Sequence, residues 1–135
     1  MNAIYVLIIN VERACKVKVG ALGDIIFDEG LYAYVGSAQS NFHQRINRHL
    51  SKEKKLFWHI DYLLNSKYTK IKKILFKPGK KIEECNVAKL ISEFGKKISK
   101  FGSSDCDCNT HLFKIKTDNF FKKRLKEFNI KHNAF

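Results

Sequence analysis

Two tyrosines, an arginine–histidine pair and a glutamate carry the chemistry that this 135-residue chain offers. Tyr5 lies in the apolar run Ile4–Tyr5–Val6–Leu7–Ile8–Ile9. Tyr34 stands before Val35, Gly36 and Ser37. A glycine at 36 lets the backbone turn sharply and lets a phosphate come close. Phe42, Ile46 and Leu50 recur every fourth residue, the spacing of a buried helical stripe. Arg45 and His49 share that spacing and stand one above the other beside the stripe. A guanidinium grips two oxygens of one phosphate, and an imidazole donates a hydrogen bond or relays a proton near neutral pH. Glu84 borders an apolar helical face with Ala88 and Ile91, where a carboxylate can hold a hard divalent cation such as Mg²⁺. A first-turn glutamate is also ordinary, because negative charge is favoured at a helix N-terminus. Spacing alone leaves Glu83 and Glu84 both open.

Composition bounds the partners. The formal net charge is +13, and it is uneven. Residues 1–40 hold three Lys/Arg against four Asp/Glu, while residues 41–81 hold twelve against two. A concentrated basic segment attracts phosphate by Coulomb steering and counterion release, so nucleic acid is the expected partner. The 44% hydrophobic content, with 11 Phe and 5 Tyr, is enough for one core. No run approaches the roughly 18 apolar residues of a membrane span. The N-terminal run lacks the basic leader and cleavage signal of a secretory peptide, so a cytoplasmic protein with reduced thiols is expected. Cys85, Cys106, Cys108 and His111 are the residue types of a structural Zn²⁺ site. One residue separates Cys106 from Cys108, not the two of a common zinc knuckle, and small buried thiols are the simpler reading.

These side chains need elements to hold them. Strands are expected over 4–9, 16–19 and 31–35, with Ile25–Phe27 leading into a turn at Asp28–Glu29–Gly30. A helix over about 41–50 follows, capped by Ser40 or Asn41. Residues 57–65 read as a short helix, on which His59 and Tyr62 share a side; His59 then lines a cleft or makes an edge hydrogen bond. A strand over 69–76 with Lys outward ends at Pro78–Gly79. The longest helix is expected from about 82 to 99, with Val87, Leu90, Ile91, Phe94 and Ile98 as its apolar face. His111–Ile115 reads as a last strand and 118–128 as a basic terminal helix. The class is α+β, a small mixed and mostly antiparallel sheet flanked by helices.

Taken in order, these residues resemble the GIY-YIG nuclease superfamily. More closely, they resemble a small prokaryotic branch of it catalogued as a domain of unknown function, DUF123, and sometimes fused to a DNA-repair glycosylase. The first superfamily tripeptide stands here as Ala3–Ile4–Tyr5 and the second as Tyr34–Val35–Gly36. The helix arginine matches Arg45, a polar or histidine position one turn on matches His49, and the motif glutamate matches Glu84 rather than Glu83. The closer branch is similar in Tyr34–Val35–Gly36–Ser37–Ala38, Arg45 to Leu50, Trp58 to Leu64 and Cys106 to Phe113. The resemblance runs over about residues 3–115. It divides the chain into a nuclease-like domain at 1–116 and a basic helical extension at 117–135, packed on the same domain.

The resemblance implies phosphodiester hydrolysis with one divalent ion. Glu84 would hold Mg²⁺ or Mn²⁺, and Arg45 would neutralise charge on the phosphoryl oxygens. Tyr5 or Tyr34 would orient the attacking water and one could act as general base, with His49 a competing base. Many members carry a lysine or arginine where this chain has Ser37, so Arg45 or Arg48 would supply that charge. Ser37, Arg48, Lys52, Lys54, Lys55 and His59 are expected along the path of the nucleic acid, with DNA the expected substrate. A non-catalytic nucleic-acid-binding domain of the same fold is the alternative, and a protein-interaction module the more distant one.

Overall fold

The run that begins the chain is apolar without alternation, the pattern of a strand covered on both faces. In a computed structural model that describes residues 2–102 and 110–128, it forms β1 (Ala3–Val11), buried at every position except Asn10. It is followed by β2 (Cys15–Lys18), β3 (Asp24–Phe27), β4 (Gly30–Ala38), α1 (Phe42–Leu50), α2 (His59–Leu64), β5 (Thr69–Pro78), α3 (Ile82–Ser92), β6 (Lys96–Lys97), β7 (Leu112–Ile115) and β8 (Lys126–Glu127). The main sheet has the order β6-β7-β4-β1-β5-β8, and β2 and β3 form a separate hairpin. Among the described residues every pairing is antiparallel, so the mostly antiparallel, helix-flanked sheet is as expected, without a parallel pair to make it mixed. No helix among the described residues is long and apolar enough to cross a membrane.

Strand alternation divides the core. Tyr5, Leu7, Ile9, Tyr32 and Tyr34 face one side, against α1, α2 and the β2–β3 hairpin. Ile4, Val6, Ile8, Ala33 and Val35 face the other, against Val87, Ala88 and Ile91 of α3. The pairing of β5 with β1 shifts register between Ile8 and Ile9, which is why Ile71 and Ile74 share a face although they are three positions apart.

Two expected helices are corrected. The helix expected to reach residue 99 stops at Ser92. Gly95 lies where a Cβ would stand 3.0 Å from Cβ of Phe113 and 3.2 Å from the Ile91 carbonyl oxygen. This close approach lets the chain turn back, and Lys96 and Lys97 pair with β7. Ile98 then packs on the face of the sheet opposite α3, so its spacing from Ile91 and Phe94 was not a helical stripe. The basic terminal helix over 118–128 does not form either. A 3-10 turn at Asn119–Phe121 leads to β8 on the edge of β5. Phe121 is buried on one face of the sheet and Phe128 on the other, which no single amphipathic helix could achieve. Of the two residues expected to cap α1, Asn41 occupies the position, without a side-chain capping bond.

The junction of α1 and α2 rests on Asp61, fully buried. Its Oδ2 accepts the backbone N–H groups of Phe57 (2.9 Å) and Trp58 (2.8 Å) and pairs with Arg48 Nη2 at 2.5 Å. Removing this carboxylate would leave two amides without their acceptor and break the ion pair of Arg48, which keeps only the Lys55 carbonyl and the Trp58 ring. Asp61→Ala should lower stability by about 3–5 kcal/mol, as for other broken buried pairs, read from the shift in urea midpoint. A loss under about 1 kcal/mol would show that the pair contributes as little as a surface salt bridge.

Candidate active site

Register places the first pair of site residues. Tyr5 on β1 lies opposite Gly36 on β4. A Cβ on residue 36 would stand 2.5 Å from both Cζ and Oη of Tyr5, so the phenol ring lies directly over the glycine. Gly36 is therefore required by the tyrosine across from it, and it lies within β4 rather than at the turn that its sequence position suggests. Tyr34 is two residues back on the same face of β4, so its ring stands beside this pair.

Helix α1 supplies the next layer. His49 is buried, and its Nε2 shares a hydrogen bond with the Tyr5 hydroxyl at 2.7 Å. Its Nδ1 is buried without a hydrogen-bond partner. Burial, aided by the charges of Lys54, Arg45 and Arg48, pushes the His49 imidazole down to about 3, so it is neutral near pH 7. Burial likewise pushes the Tyr5 phenol well above its ordinary value, against the pull of the Arg45 guanidinium. Tyr34 is raised in the same way, first by burial and then by its neighbour Tyr5. Both phenols are thus neutral donors.

A cavity of about 580 Å³ opens in front of them. Beyond Tyr34 the pairing of β7 with β4 ends, and among the described residues the Gly36–Ala38 stretch of β4 has no ladder partner on that side. There α1, on one face of the sheet, and the first turn of α3, on the other, reach one space. Tyr5, Tyr34, Gly36, Ser37, Arg45, His59 and Glu84 line it, with Gln39, Asn41, Phe57, Trp58, Lys81 and Gly102. Arg45 donates to the Ser37 carbonyl at 3.0 Å and stacks on the Trp58 ring at 4.5 Å, which fixes its guanidinium at the wall. Glu84 is largely buried, with Oε1 3.6 Å from Nδ1 of the buried His111. His59 Nδ1 accepts the Gly102 N–H at 2.9 Å, so in the neutral ring Nε2 carries the proton; burial lowers its pKa.

Several expected residues lie elsewhere. His49 stands behind Tyr5 and is not on the cavity wall. Arg48 is bound to Asp61 and stacks on Trp58 at 4.7 Å. Lys52 Nζ donates to the Leu64 carbonyl, and Lys54 Nζ donates to the Arg48 and His49 carbonyls at the end of α1. Burial lowers the pKa of both lysines. Lys55 is exposed and off the wall. The reduced thiol expected at Cys85 is corrected: its sulfur is bonded in a disulfide, so although Sγ lies 3.9 Å from His111 Nε2 it is not a thiolate that could hold zinc, while Cys106 and Cys108 are outside the described residues. Among the described residues no three His, Cys, Asp or Glu side chains cluster as a metal site.

The sequence reading missed Lys81, Gln39, Asn41 and Phe57. Lys81 precedes Glu84 by three residues, a helical spacing that could have drawn attention to it. Gln39 and Asn41 carry no such signal. The Oδ1 of Asn41 is buried without a hydrogen-bond partner.

Two outcomes follow. Gly36→Ala should displace the Tyr5 ring and cost about 1–3 kcal/mol, the usual range for overpacking; an unchanged Tyr5–His49 contact by NMR would refute the steric account. The pH dependence has a definite sign. His49 in the folded chain binds its proton only near pH 3, whereas an unfolded histidine does so near its ordinary value of 6.5. Between these values the unfolded state holds the extra proton. The stability contributed by neutral His49 is therefore fully present above about 6.5 and lost toward about 3, by on the order of 1 kcal/mol per pH unit. His49→Gln should flatten that part of the stability–pH curve, and an identical curve for both proteins would disprove it.

No curated protein and no solved structure matches the chain. The family model described as domain of unknown function DUF123 matches residues 4–133, and so includes the terminal segment that the sequence motifs did not reach. The chain belongs to this family.

Proposed function

We propose that this protein is a metal-dependent endonuclease that hydrolyses phosphodiester bonds in DNA, in the manner of the GIY-YIG superfamily that its motifs resemble. One observation carries the reading. Tyr5, Tyr34, Arg45 and Glu84 come from β1, β4, α1 and α3, and all four line the same cavity.

The wall fits a divalent ion. Glu84 is the one carboxylate among the described residues that line the cavity. Mg²⁺ and Mn²⁺ accept oxygen ligands, and Mg²⁺ commonly binds through one or two carboxylates with water and substrate phosphate completing its shell. His111, 3.6 Å from Oε1, helps to orient the carboxylate. When bound, the ion supplies Lewis-acid polarisation of the phosphate.

The chain's own residues do the rest. Arg45, held by Ser37 and Trp58, neutralises charge that builds on the phosphoryl oxygens. Tyr34 donates a hydrogen bond that orients the phosphate or the attacking water. Tyr5 faces the cavity with His49 behind it, which makes the two one unit. As water attacks phosphorus, its proton passes to the Tyr5 oxygen while the Tyr5 proton passes to His49 Nε2, and the P–O bond to the leaving strand breaks, its oxygen taking a proton from solvent. The choice between tyrosine and histidine as base becomes a relay. An imidazole at about 3 is a weak store for that proton, and the negative charge of an entering phosphate raises its basicity.

That same weakness favours a second reading, a nucleic-acid-binding domain without catalysis, because neither tyrosine is poised to lose its proton. Cleavage of labelled single-stranded, flap, branched and duplex DNA, with Mg²⁺ or Mn²⁺ and with EDTA, separates the two. Metal-dependent cleavage should vanish in Glu84→Ala, and Arg45→Ala should slow it by about 10²–10³-fold, the range for loss of one charge-stabilising donor. Tyr5→Phe and His49→Ala should each slow cleavage and leave binding intact. Binding without cleavage of any substrate would establish the second reading.

A further inference from the structure

Phe57 is 74% exposed, yet it belongs to the cavity wall. Exposing a large aromatic ring forgoes about 1.5–3 kcal/mol of burial, so its position invites an explanation. Its backbone is firmly held, because its N–H donates to the buried Asp61 carboxylate at 2.9 Å. The next residue, Trp58, is bound to the same oxygen, and the guanidinium groups of Arg45 and Arg48 stack on its ring. The Phe57 ring meets that of Trp58 edgewise, at 6.2 Å and 73°. Asp61 thus fixes a pair of aromatics, one used within the fold and one presented at the mouth of the site.

The surroundings define the occupant. Arg45 and Lys81 line the same cavity, and the exposed Lys55 lies two residues before Phe57. A flat apolar ring beside cationic groups is the recognition pattern of single-stranded nucleic acid, in which bases stack on aromatic side chains while cations follow the backbone. In a duplex the same base is stacked and paired, and its faces are not available.

Resting on the nuclease reading above for the identity of the cavity, we propose that Phe57 stacks on an unpaired base of the bound DNA strand, so that the site selects DNA unpaired next to the phosphate in the cavity. The class of substrate is then single strands, flaps and frayed or bulged junctions, in preference to continuous duplex.

The test is equilibrium binding of a single-stranded oligonucleotide, and of the same sequence fully paired, to the whole chain and to Phe57→Ala and Phe57→Leu. A 2-aminopurine placed along the strand reports stacking directly. Phe57→Ala should weaken single-strand binding by about 5–150-fold, the equivalent of one lost base–aromatic stack, and change duplex binding less than about 2-fold. Phe57→Leu should behave like Ala, because bulk without an aromatic face does not restore stacking. The urea midpoint should be unchanged, as the ring is exposed. Equal loss on both DNAs, no loss on either, failure to bind the single strand, or 2-aminopurine fluorescence insensitive to Phe57 would each overturn the proposal. The nuclease reading is tested separately by Glu84→Ala cleavage. If no cleavage occurs but the Phe57 effect is found, stacking stands and catalysis falls. If cleavage depends on Glu84 but Phe57 does not discriminate, the reverse holds.

Discussion

Strand β1 has neighbours on four sides. β4 and β5 pair with it in the plane of the sheet, α1 and α2 pack over one face, and α3 packs over the other. A one-residue slip of this strand would exchange its two faces, moving Tyr5 to the α3 side and Ile4 and Val6 into its place. Burial on both faces therefore fixes the register, and the register places Tyr5 over Gly36 and against His49. The position of the phenol is a consequence of the core, and no separate device is needed to hold it.

The basic charge divides in a way that composition does not reveal. Within residues 41–81, Arg48, Lys52 and Lys54 direct their cationic groups to Asp61 or to backbone carbonyls of the chain itself. They tie the end of α1 to the following segment. Arg45, three residues before Arg48 on the same helix, is instead fixed at the cavity wall by Ser37 and Trp58. Lys81 joins it from the residue before α3. Two arginines on one helix thus share an indole, but one holds the fold and the other faces the cavity. The difference arises from Asp61, thirteen residues after Arg48 and buried.

What was legible in the sequence follows from how local each cause is. β1, β4, α1 and the break after Pro78 show in apolar runs, four-residue spacing and turn residues, and all are present. The end of α3 depends on Gly95 meeting Phe113, a contact between segments far apart in the chain. The terminal segment misled for a related reason. Phe120, Phe121, Leu125 and Phe128 have helix-like spacing, but Phe121 and Phe128 serve opposite faces of the sheet because the chain passes the edge of β5 between them. Periodicity reports a shared face only when one element carries all the residues. For the site, Tyr5, Tyr34, Arg45 and Glu84 were picked from their residue types, with the family resemblance selecting Glu84. That they line one cavity depends on where β7 stops along β4, which no spacing encodes.

The electrostatic state of this cavity bears on how it would work. Tyr5, Tyr34 and His49 are held neutral near pH 7 by burial, so Arg45, Lys81 and Glu84 supply the charged side chains of the wall. A neutral floor does not bind anions strongly by itself, and it offers no base before substrate arrives. An entering phosphate would change both conditions. Its negative charge would favour a proton on His49 and disfavour loss of one from an isolated phenol. The two effects oppose each other for Tyr5 alone and cooperate when Tyr5 passes its proton to His49 as it receives another. A concerted transfer leaves the phenol neutral throughout and places the positive charge on the imidazole, behind the ring and shielded from solvent. The buried histidine at 2.7 Å is therefore what would make a high-pKa tyrosine usable in proton transfer, with the charge of the entering phosphate offsetting the burial that holds its basicity down.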